Sequence, residues 1–297
     1  MPLKDDYLEQ LKKSWTDNPD KPEETPESTL RALRFAAAGN PLSARKAAIT
    51  PVPELDPQAE KILSSLVERR CAGVPLAHLT GRQQFMGIEM LAGPEALIPR
   101  VETELLGYEI LKIASSAYKD QRAVTLLDVC TGSGNIALGV ASQLPLCRAF
   151  GSDISSEAIQ LAKKNAEFVG LEKRVDFRVG DLFEPFNTGE TLSKADIVSC
   201  NPPYISSQKV SQMAKEISEF EPHIAFDGGT YGFTILSRVI REAPRYLKAN
   251  SYFCLEVGLG QGDFVTRMFK KSDLYCDVYP VVDGASEVRV LIARTKA

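Results

Sequence analysis

The chain has 297 residues, 44% hydrophobic and 25% charged, enough for one large buried core and a smaller second one. Its 35 basic against 39 acidic side chains leave a net charge of −4, which argues against a surface built for nonspecific nucleic-acid binding. The start is polar and no run of about 18 apolar residues occurs, so a cytoplasmic protein without a membrane span is expected.

Residues 1 to about 24 are charged and Pro-rich, with one weak helical pattern around Tyr7 to Trp15, and are expected to be partly mobile. Thr25-Pro26 then caps and starts a helix carrying Leu30, Leu33, Phe35 and Ala36, ended near Gly39-Asn40-Pro41. Asp56-Pro57 starts a second helix, with Ile62, Leu63, Leu66 and Val67 at helical spacing. These elements predict a helical N-terminal substrate-recognition domain over residues 1–73. Residues 74–100 read as a hairpin linker around Phe85, Gly87, Ile88, Met90 and Gly93.

Residues 101–297 are expected to form an α/β domain. After a helix over about 103–117, strands are predicted at 124–129, 148–153, 175–179 and 195–200, with helices over about 134–143 and 155–169. A helix near 231–247, a strand at 252–257, a helix at 261–270 and two strands near 275–281 and 286–293 complete the domain. Strands alternating with helices argue a mostly parallel sheet covered on both faces. The last two strands, joined by Asp283-Gly284, form a hairpin that adds an antiparallel edge. Six cysteines lie without a Cys-x-x-Cys pair, and His78 and His223 are the two histidines. Buried reduced thiols are therefore expected, and no metal site or Ser-His-Asp triad is.

Three strand ends carry chemistry. The turn Asp128-Val129-Cys130-Thr131-Gly132-Ser133-Gly134 joins a strand to a helix. Its glycines allow close approach to the backbone, and the helix N-terminus offers unpaired N–H groups. Asp153, with Ile154 beside it, ends the next strand, where a carboxylate can take both hydroxyls of a ribose. Gly132-x-Gly134-x-x-Ala137 also fits a dinucleotide fingerprint, and a tight turn with no ligand is the plain alternative. Asp128, four residues ahead of Gly132, is placed to reach a methionine amino group, which favours S-adenosylmethionine over a nicotinamide. Asp181 suits an adenine amino group with Leu182 on the ring, although a solvated turn aspartate fits the same residue.

The third end is Asn201-Pro202-Pro203-Tyr204, following the apolar run Ala195 to Cys200. Two prolines forbid the strand's continuation. The stiff corner exposes the Asn201 amide, the carbonyls beside the prolines and the Tyr204 ring, which together can clamp a planar NH2 group. A simple turn would use the same residues.

Asp128 to Leu138, Asp153, Gly180-Asp181 and Asn201 to Tyr204 resemble the HemK/PrmC family of protein-glutamine N5-methyltransferases. So do Leu97-Ile98-Pro99-Arg100-x-Glu102-Thr103-Glu104, Glu221-Pro222 with Gly228-Gly229 and Gly232-Phe233, and Leu255-Glu256-Val257-Gly258 with Gln261. The likeness spans about residues 70–294. Cys130, Val101 and His78 stand where the family usually has Gly, Pro and Tyr.

The resemblance implies a class I methyltransferase fold, a doubly wound, mostly parallel seven-stranded sheet behind a small helical N-terminal domain. It implies S-adenosylmethionine held by Cys130, Thr131, Gly132, Ser133, Gly134, Asp153, Ile154, Leu182 and Asn201, and a monomer. The implied acceptor is the glutamine of the Gly-Gly-Gln motif of peptide release factors, clamped by Asn201, Pro202, Pro203 and Tyr204 with Arg100 and Glu102 at the entrance. Catalysis falls to Asn201, Pro202 and Tyr204. A small-molecule amide, hydroxamate or carboxylate is the alternative acceptor. A nucleic-acid base, whose exocyclic amine is conjugated like an amide, is disfavoured by the net charge.

Overall fold

The computed structural model describes residues 5–16, 21–118, 123–187, 194–210, 219–229 and 231–297. Five helices come first: α1 (Asp5–Ser14), α2 (Pro26–Ala37), α3 (Ala44–Ile49), α4 (Pro57–Cys71) and α5 (Leu76–Thr80). The caps read from sequence form as expected. Thr25 and Ser28 make a reciprocal capping box, Ser28 N donating to Thr25 Oγ1 at 3.1 Å and Thr25 N to Ser28 Oγ at 2.8 Å. Asp56 accepts from Ala59 N at 2.7 Å at the start of α4.

Leu11, Leu30, Leu33, Phe35, Leu63, Val67 and Leu76 form one apolar cluster between these helices. Two expectations change here. The α1 segment is packed, with Leu11 buried in that cluster, although residues 1–4 and 17–20 of the stretch expected to be mobile lie outside the described residues. The helical region also extends past residue 73, because α5 contributes Leu76 to its core. Neither α3 nor α5 was expected: six and five residues are too short to show a helical period.

The linker is a hairpin of β1 (Arg82–Phe85) and β2 (Ile88–Leu91), in register from Arg82↔Leu91 to Phe85↔Ile88. Met86 and Gly87 both have positive φ, 46° and 86°, as a two-residue primed turn demands. The Met86 side chain inserts between α6 (Glu104–Tyr118) and α7 (Asn135–Gln143). Glycines make the room: a Cβ at Gly107 or Gly139 would stand 2.2 or 2.8 Å from the Met86 sulfur.

The remaining strands are β3 (Val124–Val129), β4 (Cys147–Asp153), β5 (Val175–Val179), β6 (Ala195–Cys200), β7 (Leu247–Glu256), β8 (Tyr275–Val282) and β9 (Val288–Thr295). They form one seven-stranded sheet in the order β5-β4-β3-β6-β7-β9-β8. The strands β3 to β7 pair in parallel, and β9 is antiparallel to both β7 and β8. The expected final hairpin is thus present, but its second strand inserts between β7 and the edge. Helices α7, α8 (Ser156–Phe168), α9 (Ser207–Val210), α10 (Thr234–Glu242) and α11 (Gly262–Ser272) complete the elements used below. The predicted helix 231–247 is shorter, because its last turn is a 3-10 segment and β7 starts at Leu247. Strand order reverses between β3 and β6, and a crevice opens at the carboxyl ends of such strands. Among the described residues no helix is long and apolar enough to cross a membrane.

Polar staples join the helical region to the sheet. Glu89 on β2 accepts from Ser43 N and Ser43 Oγ, both at 2.6 Å. Glu104 Oε1, at the start of α6, accepts from Arg45 Nη1 and from Met86 N, both at 2.9 Å. Glu104→Ala strands a buried N–H and removes the Arg45 ion pair. The expected loss is about 1–3 kcal/mol, read by denaturant unfolding, together with faster proteolysis within α1–α4. Unchanged stability and cleavage would show that packing alone holds the helices in place.

Candidate active site

The Gly-rich turn after β3 is built from left-handed backbone. Cys130, Gly132 and Gly134 have φ of 58°, 54° and 81°. Glycine takes such angles freely, whereas a side chain there costs about 1–2 kcal/mol, so Cys130 is a strained choice. Gly134 is also sterically required, since a Cβ there would lie 2.6 Å from the Phe177 ring. Hydrogen bonds lock the turn from two sides. Thr131 N donates to Ser152 O at 2.9 Å, and Gly132 N donates to Asp153 Oδ2 at 2.9 Å. Asn165 on α8 donates to Ser133 O at 3.1 Å and, through the same side chain, is tied to Leu91 of β2.

Asp128 is wholly buried beneath this turn. Its Oδ2 accepts from Thr131 Oγ1 at 2.6 Å and its Oδ1 from Ser199 Oγ at 2.7 Å. It is not among the residues that wall the crevice, and each of its oxygens takes one hydrogen bond, from the turn and from β6. Gly134 likewise is not among the wall residues.

The crevice is a cavity walled by Cys130, Thr131, Gly132, Ser133, Asp153, Ile154, Asp181, Leu182 and Asn201, expected to hold a cofactor, and also by Pro203 and Arg100, expected on the acceptor side. Asp153 is mostly buried, and this burial raises its carboxyl above the usual value against the lowering by hydrogen bonds from Ser155 and Gly132. Asp181 is held bidentately by Arg238 of α10, at 3.2 and 2.8 Å, a partner the sequence did not announce. Exposed Ile154 and Ile224 give the cavity apolar flanks.

A second cavity adjoins the first and shares Asn201, Leu97, Arg100, Thr103 and Ala225 with it. Its other walls include Pro202, Tyr204, Glu102 and Glu256. Asn201 Nδ2 donates to Thr103 Oγ1 at 3.2 Å. Arg100 is buried and paired with Glu221 at 2.6 Å, while Glu221 Oε2 accepts from Ile98 N at 2.9 Å. Arg100 therefore staples the 97–103 loop to the 221–229 segment, and of the two entrance residues Glu102 is the one not committed to that staple.

Tyr204 is gripped on all sides. Gln261 Nε2 donates to its carbonyl at 2.9 Å, and Gln261 Oε1 accepts from Gly258 N at 3.0 Å. A Cβ at Gly232 would stand 2.3 Å from the Tyr204 carbonyl oxygen, and one at Gly258 2.8 Å from its ring. Burial raises the Tyr204 phenol far above its usual value, so it stays neutral. Thr103, Gln261 and Glu256 were not assigned roles from sequence, although all three lie in the motifs quoted above. Only the fold puts them against Asn201 and Tyr204.

Burial also raises the Asp128 carboxyl from 3.8 to about 6, against the lowering hydrogen bonds from Thr131 and Ser199. The folded state therefore holds this proton more tightly than the unfolded chain, and Asp128 costs stability as pH rises from 3.8 to about 6. An amide still accepts from one hydroxyl and donates to the other. Asp128→Asn is expected to stabilise the protein by about 2–3 kcal/mol above pH 6, with the gain shrinking toward pH 4. A variant less stable at pH 8 would show that the ionised carboxylate strengthens the turn.

Known proteins resemble this chain in fold and in sequence. A family model described as "Methyltransferase domain" matches residues 120–288. Among solved structures, the N-terminal domain of human METTL16 in complex with SAH covers 76% of this chain and 82% of its own, with a TM-score of 0.54 and 16% identity. Human methyltransferase 10 domain containing protein gives 0.52 at 15% identity, over 70% and 88%. At such identity the likeness is one of fold, a class I methyltransferase sheet. Among curated relatives, the release factor glutamine methyltransferase of Geobacter sulfurreducens is 35% identical over 240 residues, 81% of this chain and 80% of its own. That of Caulobacter vibrioides is 31% identical over 285 residues, 95% of this chain and 91% of its own, so the likeness does not stop near residue 70 but runs into the N-terminal helices. The turn after β3, the Asn-Pro-Pro-Tyr corner and this identity along most of the sequence have one reading: the chain is a methyltransferase and belongs to the release factor glutamine methyltransferase family.

Proposed function

We propose that this enzyme transfers a methyl group from S-adenosylmethionine to the side-chain amide nitrogen of the glutamine in the Gly-Gly-Gln motif of a peptide release factor, acting as a cytoplasmic monomer. The observation that carries the reading is the wall at Asn201 shared by the two cavities. A donor in one and an acceptor in the other would meet across that side chain. Relatives named for release factors, 31–35% identical over most of the chain, support this acceptor over a small molecule.

The residues present fit the cofactor. The left-handed turn presents bare backbone to the first cavity, and Asp153 lines it with lone pairs beyond those that Gly132 and Ser155 use. These suit ribose hydroxyls. Asp181, oriented by Arg238, would accept from the adenine amino group, and Leu182 with Ile154 would pack on the ring system. Cys130, Thr131 and Ser133 would hold the methionine side. When bound, the cofactor supplies an electrophilic methyl group on a sulfonium.

An amide nitrogen is a poor nucleophile because its lone pair is delocalised into the carbonyl. The chain's own groups overcome this by position. Thr103 holds the Nδ2 end of Asn201, which leaves Oδ1 to accept one N–H of the incoming amide. The Pro202 carbonyl accepts the other, with the two prolines preventing the corner from yielding. The nitrogen lone pair then points at the cofactor cavity. Pro203 walls that cavity, and the Tyr204 ring stacks on the acceptor, its neutral phenol anchored behind. Near-attack positioning of this kind can lower a barrier by roughly 7–11 kcal/mol. The proton left on the nitrogen after transfer departs to solvent, so no strong general base is required.

The test is radiolabelled methyl transfer to a purified release factor and to its Gln→Ala variant in the Gly-Gly-Gln motif. Label on the first and not the second is expected. Label found instead in a small-molecule extract would overturn the acceptor. In the same assay Asn201→Ala should lower kcat by about 10²–10³-fold, the usual cost of removing one fixed hydrogen-bonding group at a reacting centre. Cofactor affinity should change far less, and near-normal turnover would sink the clamp.

A further inference from the structure

Glu256 ends β7 almost wholly buried, and nothing in the methyl-transfer scheme above uses it. Its Oε1 accepts a hydrogen bond from the Tyr204 hydroxyl at 3.3 Å. The nearby Thr103 hydroxyl lowers the carboxyl, and Oε2, sealed from solvent, has no hydrogen-bond partner. Thr103 Oγ1 in turn accepts from Asn201 Nδ2. Thr103, Asn201, Tyr204 and Glu256 all line the acceptor cavity.

A hydroxyl has a single hydrogen. While Thr103 gives it to a carboxylate, its oxygen can only accept, and Asn201 must turn its NH2 end toward Thr103. Oδ1 is then the end that faces the acceptor. We propose that Glu256 is a positioning residue for methyl transfer: through Thr103 it decides which end of the Asn201 amide meets the acceptor nitrogen, and directly it anchors the Tyr204 ring. The inference rests on the clamp reading of Asn201 and deepens it.

The arrangement is sensitive to one proton. A protonated Glu256 can donate to Thr103, whose hydrogen is then released to point at Asn201. The amide can flip, presenting a donor where the acceptor N–H needs an oxygen. Burial raises the Glu256 carboxyl to about 7; the Thr103 and Tyr204 hydrogen bonds and the charge of Arg289 lower it, and Glu102 raises it. Arg289 on β9 lies 4.0 Å away, and burial keeps the Tyr204 phenol neutral. The ordered clamp therefore holds above about pH 7 and is lost as pH falls through it.

The test measures methyl transfer to a release factor between pH 5.5 and 9 for the unaltered chain, Glu256→Gln, Thr103→Val and Thr103→Ser, with calorimetric cofactor binding as the check on folding. The unaltered chain should lose kcat below about pH 7. Glu256→Gln should lose that acid limb and about 10–100-fold in kcat, the scale of a small misplacement of a reacting group, with cofactor Kd within about threefold. Thr103→Val should match it, and Thr103→Ser should restore both rate and limb. A Glu256→Gln enzyme with unaltered kcat and an unaltered acid limb overturns the proposal. Should that variant fail to bind cofactor, full activity in Thr103→Val does so instead.

A second readout needs no acceptor. The Asn201 side-chain amide protons, followed by nuclear magnetic resonance in 15N-labelled protein, should titrate near pH 7 in the unaltered chain and not in Glu256→Gln. Titration that persists in the variant also overturns the hub. Failure of release-factor methylation, or full activity of Asn201→Ala, would instead sink the reading on which it rests, and the resonance test would still decide the role of Glu256.

Discussion

One buried carboxylate sets the spacing between the two halves of this site. Asp128 sits at the middle of the sheet, on the strand from which the order runs outward in both directions. One oxygen takes Thr131 of the Gly-rich turn and the other takes Ser199 of β6. Ser199 lies two residues before Asn201. The distance from cofactor turn to acceptor corner is therefore held by two short hydrogen bonds in a solvent-free interior, where such bonds are strong and an unmet polar group is costly. This is the reason for tolerating an acid whose burial pushes its carboxyl to about 6.

Around that centre, stiffness comes from residues that cannot relax. The two prolines after β6 prevent it from pairing further. Gly228 and Gly232 let the returning chain run against Pro203 and Tyr204, where a Cβ would stand 2.7 and 2.3 Å from backbone oxygens. The Arg100–Glu221 pair, buried on both sides, staples the loops that wall the cavities. A buried pair of this kind adds little net stability but is expensive to break, which suits a part that must hold its geometry. Met86, wedged between α6 and α7 over two glycines, carries the same rigidity to the hairpin, and Glu104 and Glu89 carry it to the N-terminal helices.

Two raised carboxyls, Asp128 and Glu256, thus lie under the two functional corners, Asp128 engaged by the Thr131 hydroxyl and Glu256 by that of Tyr204. Asp128 holds the turn that walls the first cavity, and Glu256, itself on the wall of the second, anchors Tyr204. The family's motifs quoted from the sequence read differently in this light. Leu255-Glu256-Val257-Gly258 with Gln261 is a cradle for Tyr204, and Thr103 of the 97–104 motif is the support for Asn201.

Much of this was legible in the chain itself. The alternation of apolar strands with helices, the caps at Thr25 and Asp56, the Gly-rich turn and the Asn-Pro-Pro-Tyr corner depend on local rules of period, backbone angle and missing donors, which a sequence displays directly. These sufficed for the parallel sheet, the methyltransferase fold and most of the cavity walls. Short helices escaped, because α3 and α5 lack the length to show a period. The insertion of β9 between β7 and β8, the partners of Asp128 and Arg100, the Arg238 partner of Asp181 and the Thr103–Asn201 and Tyr204–Glu256 contacts were decided only in three dimensions. Each joins residues far apart in sequence, 71 for Asp128 and Ser199 and 98 for Asn201 and Thr103. Hydrogen-bond partnership at such separation depends on strand order and side-chain direction, and no local pattern of residues encodes either.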